Sequence, residues 1–188
     1  FEAGQQLAHR LCHAYIQDDT AAIAALWSVF SKGIDYHLCH TDDPAFTAEC
    51  ITIPSLTALL ETQAPYAFQA TFEAHEWLNA TIYTTFQDAL MACYTQLYQS
   101  IDNNAPFNSK SMGERRLKHR CLALLSYAKD HNEPLLDDAY QKAPTISDTI
   151  ASLSLLTRWN SPASTVALNR FYAQWKDEFT VITKWFAI

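Results

Sequence analysis

Between Pro65 and about Ser100 apolar residues return with the period of an α-helix, and no other stretch limits the fold as strongly. Phe68, Phe72, His75, Ile82, Phe86, Leu90, Cys93 and Leu97 fall on one stripe, and Trp77, Tyr83, Met91, Tyr94 and Tyr98 widen it. A helix apolar over so wide an arc must be covered on more than one side, so other elements have to flank it. Those elements should also be helices. Only Gly4, Gly33 and Gly113 occur in 188 residues, so turns that need positive φ are few. Ala, Leu and Gln, all good helix formers, abound. The expected class is therefore all-α, in a chain long enough to bury roughly 70% of its unfolded surface.

In chain order, Glu2 to Ile16 is the first expected helix, with Leu7, Leu11, Ala14 and Tyr15 on one side. Asp18, Asp19 and Thr20 offer caps for a second helix through Ala21, Leu26, Val29 and Phe30, ending near Gly33. Thr41-Asp42-Asp43-Pro44 reads as a cap followed by proline in the first turn of a helix to about Ile51. Pro54-Ser55 stops it, and Ser55 to Glu61 gives another short helix. After the long helix, Asp102 to Lys110 is the clearest loop, rich in Asn and Ser around Pro106. Helices are then expected over Ser111 to Tyr127, Glu133 to Lys142, Thr145 to Trp159 and Pro162 to Lys176, with breaks at Asp130 to Asn132, at Pro144, and at Asn160 to Pro162.

The closing stretch, Phe171 to Ile188, packs two Trp and three Phe around the polar corner Lys176-Asp177-Glu178. Two short helices meeting at that corner fit the pattern, with Trp175 and Trp185 as their anchors. Successive short pairs suggest an armadillo- or HEAT-like stack of antiparallel helices forming a superhelix, although the sequence does not repeat cleanly enough to show this by periodicity. The expected organisation is one helical domain over 1–188, with helical groups at about 1–100 and 111–188 joined by loop 101–110.

A net charge of −7 argues against a nucleic-acid partner, because phosphate binding is driven by clustered Lys and Arg. Cys12, Cys39, Cys50, Cys93 and Cys121 are odd in number and form no C-x-x-C pair, so neither a disulfide frame nor a zinc knuckle is suggested. Buried cytosolic thiols are the simpler account. No apolar run approaches a membrane span.

Few residues invite a chemical role. His75-Glu76-Trp77-Leu78-Asn79 resembles a zinc-binding H-E-x-x-H turn, but Asn79 stands where the second His must be, and a single His leaves the metal short of a ligand. His9 and His13 stand four apart on a helix, and His37, Cys39 and His40 lie close together; two or three such residues fit packing or solvation better than a metal site. Glu114 to Arg120 is the only dense basic run, and it reads as a solvated or salt-bridged face, with Arg115 and Lys118 outward and Leu117, Cys121 and Leu124 inward. Asp18-Asp19 and Asp137-Asp138 are carboxylate pairs whose neighbouring side chains point apart on a helix. There is no Gly-rich phosphate loop and no Gly-x-Ser-x-Gly turn. No catalytic, cofactor-binding or metal-ligating residue is assigned in this chain.

Several stretches nonetheless agree, in order and approximate spacing, with one family. The closing FYAQWKDEFTVITKWF, the opening Phe1-Glu2-Ala3-Gly4-Gln5, the turn ECITIPSL from Glu49 to Leu56 and the helix RLKHRCLALL from Arg116 to Leu125 resemble the C-terminal helical domain of bacterial-type alanyl aminopeptidases (aminopeptidase N), which are zinc gluzincins. Thr145-Ile146-Ser147-Asp148 departs from the family's Asn-Met-Thr-Asp but keeps its helix-opening chemistry.

The resemblance implies the same superhelical architecture, and a chain that is a fragment of a longer cytoplasmic enzyme. It implies that the zinc and its H-E-x-x-H motif lie in a catalytic domain of the same polypeptide. It further implies that the helical domain covers the active-site chamber and limits the entry of peptide substrates, and that 1–188 alone is inert and metal-free. Surface near Val181, Trp185 and Ile188 would then be uncovered, which predicts self-association of the fragment. The alternative is a free-standing helical-repeat scaffold that binds a partner protein.

Overall fold

A computed structural model describes residues 1–62, 67–102, 108–128, 132–158 and 160–188. Among the described residues there are ten helices and no strand: α1 (Glu2–Ile16), α2 (Thr20–Cys39), α3 (Pro44–Cys50), α4 (Leu56–Glu61), α5 (Phe68–Ser100), α6 (Ser109–Leu125), α7 (Glu133–Gln141), α8 (Ile146–Thr157), α9 (Pro162–Trp175) and α10 (Phe179–Trp185). The all-α expectation holds. Pro65, the centre of the loop expected at 101–110, most of the break at Asp130 to Asn132, and Trp159 lie outside the described residues.

Side-chain caps set several of the starts. Asp19 accepts from the Ala22 N–H at 2.9 Å, Asp43 from Phe46 at 3.0 Å, Ser55 from Ala58 at 3.2 Å, and Ser161 from Ser164 at 3.1 Å. Each satisfies an N–H that the helix itself cannot, and each is worth about 1 kcal/mol. Thr145 caps α8 by accepting from the Asp148 N–H at 3.2 Å, while its hydroxyl donates to the Asp148 carboxylate at 2.5 Å. The Thr-x-x-Asp opening therefore works as a reciprocal cap.

By contact the chain divides into two compact units. The first holds α1 to α5 together with α6 up to Leu124; the second runs from Leu125 to Ile188. Thus α6, which follows the loop expected to divide the helical groups, packs within the first unit.

In the first unit α5 is flanked by α1, α2 and α4. Its inward face differs from the expected stripe over the N-terminal half. Thr71, Ala74 and Leu78 are buried, whereas Phe68 and Phe72 stack on each other outside, at 59% and 40% exposure. The reason is the closeness of α1: the Cys12 thiol lies 3.9 Å from the Ala74 carbonyl, and Tyr15 stacks on Trp77 at 4.6 Å. Only small side chains fit at that approach, so the large rings turn away. From Ile82 onward the expected positions Phe86, Leu90 and Leu97 are buried.

α5 also breaks its helical geometry at Phe86 (φ −120°, ψ 19°), without proline. Just before the break, the Thr84 and Thr85 hydroxyls both donate to the Thr81 carbonyl, at 3.1 and 2.8 Å, and the Thr81 hydroxyl donates to Trp77 at 2.8 Å. Threonine back-bonding of this kind competes with the backbone ladder and bends helices.

One other expectation changes. Gly33 does not end α2, because Phe30, Ile34 and Leu38 continue one buried row through it and its φ is not positive. Val29 of the same helix is exposed. Gly33 is a mid-helix residue with open space beside it, whereas Gly113 marks a contact. A Cβ there would lie 2.9 Å from the Ala45 nitrogen of α3.

In the second unit α7 packs on α8, α8 on α9, and α9 on α10. Tyr140 of α7 donates its hydroxyl to the Ala167 carbonyl of α9 at 3.0 Å, and burial raises its pKa. The closing corner is present, with α9 and α10 meeting at 176–178. Its anchors are not the two tryptophans, however: Phe171 is fully buried and Ile182 nearly so, while Trp175 and Trp185 are half-buried. The Trp185 indole reaches the Leu168 carbonyl at 3.3 Å, which places the polar end of the ring at the surface of α9. Phe179 and Phe186 are largely exposed.

Two substitutions test this packing by urea denaturation. Gly113→Ala should lower stability by about 1–3 kcal/mol, because the Ala45 backbone must move, and this outweighs the gain in helix propensity of about 1 kcal/mol. Phe171→Ala should cost about 3–5 kcal/mol, and Trp175→Ala clearly less; equal losses would show that the buried ring is not the anchor.

Candidate functional site

The stretch that most resembles a zinc helix forms a structural joint instead. Asn79, in the place of a second ligand, is buried, and its amide nitrogen donates to the His75 carbonyl at 3.0 Å. Its amide oxygen accepts from the Arg120 guanidinium at 3.1 Å. The same guanidinium donates to the Ile51 carbonyl from Nε at 3.2 Å and from Nη2 at 3.0 Å. One planar cation on α6 thus joins α5 to the segment between α3 and α4, with the fork of donors that arginine alone offers. His75 is half-buried, with Nδ1 3.7 Å from the Glu76 carboxylate.

The rest of the basic run is used in the same way. Arg116 pairs with Glu49 of α3, and Lys110 lies 3.9 Å from Glu114. Leu117, Cys121 and Leu124 point inward as expected, but Lys118 is buried rather than solvated. Its long methylene stem allows that position beside the apolar row.

The other candidates also separate. His9 contacts the Thr62 hydroxyl, while His13 faces Gln17 at 3.4 Å. They border an open groove of about 670 Å³ that Arg10, Asp19 and Thr62 also line. His37 meets the Phe46 ring edge-on, and His40 stacks on Tyr36 with Nδ1–H donating to the Tyr36 carbonyl at 2.9 Å. Burial, with a smaller effect from His40, holds the His37 pKa below its ordinary value. Asp19 caps α2, Asp138 pairs with Lys142 at 2.6 Å, and Asp137 accepts from Gln141 at 3.3 Å. Among the described residues no three His, Cys, Asp or Glu side chains gather where they could hold a metal ion. A second hollow of about 280 Å³ between α1 and α2 is mainly apolar, lined by Leu7, Val29, Phe30 and Ile34 with His37 and Cys50.

One association is not visible in the spacing of the sequence. Interaction between the thiols of Cys93 on α5 and Cys121 on α6 holds the Cys93 pKa below its ordinary value and, with burial, pushes that of Cys121 up. Cys93 lies on the expected apolar stripe of α5 and Cys121 on the inward row of α6, and those positions were the sequence signals for it.

Kinship carries the functional argument. The model of the family described as "Domain of unknown function (DUF3458_C) ARM repeats" matches residues 1–188. The chain belongs to this ARM-repeat family. Aminopeptidase N of Escherichia coli is 27% identical over 147 residues, covering 78% of this chain and 17% of the relative. Aminopeptidase N of Caulobacter vibrioides is 29% identical over 153 residues, with the same coverage of 78% and 17%. The crystal structure of Legionella pneumophila aminopeptidase A in complex with aspartic acid superimposes with a TM-score of 0.77 over 98% of this chain and 22% of that one, at 23% identity. The ARM-repeat chain is thus related to the C-terminal helical domain of aminopeptidase N and spans about a sixth of its curated relatives. No helix among the described residues is long and apolar enough to cross a membrane.

The Arg120 joint gives a direct test. Arg120→Met keeps the stem but leaves the Ile51 carbonyl and the Asn79 amide oxygen without this donor, which should cost about 2–3 kcal/mol in urea denaturation. An unchanged midpoint would mean that water replaces the guanidinium freely.

Proposed function

We propose that the chain is the non-catalytic helical part of a zinc-dependent alanyl aminopeptidase, joined in one polypeptide to the catalytic domain. In this reading it covers the active-site chamber and limits which peptides enter, and the zinc, its ligands and the general base belong to the rest of the enzyme. The observation that supports it is the family match over all 188 residues, together with relatives that are aminopeptidases N several times longer. The side chains agree with a supporting role: Asn79, Arg120 and Arg116 tie helices to one another rather than opening a site for substrate. Five free thiols suit the reducing cytoplasm, the compartment this reading assigns.

The whole polypeptide encoded with this segment should hold about one zinc per chain and release alanine from a chromogenic amide in a chelator-sensitive way. The isolated 1–188 should do neither. Removing the helical segment from the whole enzyme should raise kcat/KM for long peptides relative to a dipeptide amide. A whole protein without zinc or peptidase activity would favour a helical-repeat scaffold instead, and an unchanged ratio in a folded truncated enzyme would remove the gating role.

A further inference from the structure

All three glycines lie inside helices, where alanine would be the more favourable residue. None has the positive φ for which glycine is usually needed. Gly113 lets α6 approach Ala45, but a Cβ at Gly4 of α1 or at Gly33 of α2 would meet nothing within 4 Å. What these two share is the hollow of about 280 Å³ between α1 and α2, which both of them line. Phe30 and Ile34, both buried, and Leu7 give it apolar walls. Its polar side chains are the His37 imidazole and the Cys50 thiol. His37 meets the rings of Tyr36 and Phe46 edge-on, and among the described residues neither of its ring nitrogens has a hydrogen-bond partner. Burial favours its neutral form, which keeps one ring nitrogen as an acceptor.

We infer that this hollow is a binding site for a small, uncharged aromatic molecule, seated against Leu7, Phe30 and Ile34 with one N–H or O–H group turned to His37. The two absent side chains supply the space, since a residue larger than glycine at either position would project into it without touching anything else. An apolar cavity of about 150 Å³ already takes benzene, so one of about 280 Å³ accommodates a bicyclic ring system. Charge is selected against. No Lys, Arg, Asp or Glu side chain lines the hollow, and an ion entering it would lose water without gaining a counter-charge. The neutral imidazole then sets orientation, as the few polar groups of an apolar ligand site do. Val29, which also lines the hollow, is 57% exposed, so the site opens to solvent on that side and a ligand enters without unfolding α2.

The experiment titrates indole, a neutral bicyclic ring with one N–H, into 1–188 and into the whole polypeptide that carries it. The expected result is saturable binding by both in calorimetry, with a Kd of about 1 mM or tighter. In 1–188 the NMR signals of Leu7, Phe30, Ile34 and His37 should move while those of α7 to α10 stay in place. Gly33→Leu fills the space and should abolish binding in either protein. Gly33→Ala should weaken binding yet raise Tm by about 2–4 °C, because the added methyl improves helix propensity and meets no neighbour. His37→Leu should weaken indole at least about tenfold and leave the binding of toluene as it was. Circular dichroism checks each fold; if Gly33→Leu does not fold, Gly33→Ala decides. No saturable binding, shifts confined to other helices, undiminished binding to a folded Gly33→Leu, or a lower Tm for Gly33→Ala would each overturn the inference. Binding by 1–188 that the whole polypeptide lacks would overturn it too, since another part of the polypeptide would then fill the hollow.

Discussion

Two oxygens of the first unit depend on the Arg120 guanidinium, and neither has a helix of its own to satisfy it. The Ile51 carbonyl belongs to the non-helical link after α3, and the Asn79 amide oxygen is buried on α5. A buried oxygen without a donor costs about 1–3 kcal/mol, so the first unit requires a donor that reaches both at once. Lysine is a poor substitute, since a single ammonium lacks the fork that spans two acceptors. The basic run, which the sequence presents as a solvated or salt-bridged face, sends Arg120 into this joint and pairs the exposed Arg116 with Glu49.

Around that joint, small residues set distances and large ones set directions. Ala74 and Thr71 let α1 approach α5, and Gly113 lets α6 approach α3. Some aromatic rings are displaced to the margins, as Phe68 and Phe72 are, while Phe30 and Phe86 are buried. In the second unit the polar ties include the Thr145–Asp148 cap and the Tyr140 hydroxyl.

Much of the fold was legible in the sequence because caps and stop signals act locally. Asp19, Asp43, Ser55, Thr145 and Ser161 each mark a helix start within one or two positions of where periodicity puts it. What could not be read depended on neighbours. The face of α5 near Phe72 follows from how closely α1 approaches, Gly33 sits mid-helix because Ile34 and Leu38 carry the buried row past it, and Lys118 is buried in the tertiary fold. The thiol pair of Cys93 and Cys121 was hidden for the same reason, since only tertiary packing brings α5 and α6 together. Family kinship was legible in scattered motifs, while the role of each residue within them was not; Asn79 shows this best, being a failed metal ligand in the sequence and a hydrogen-bonded junction in the fold.

The break at Phe86 is written into the chain itself. Three threonine hydroxyls at 81, 84 and 85 bond back to carbonyls of their own helix, so the bend does not require a neighbouring element to impose it. α5 therefore behaves as two rods with a built-in joint. Each rod can keep its own register while the surroundings of the other change, and an insertion or repacking on one side of Phe86 need not propagate to the far side. In a fold made by stacking short helices, such a joint lets its longest member follow the stack instead of dictating a straight line to it.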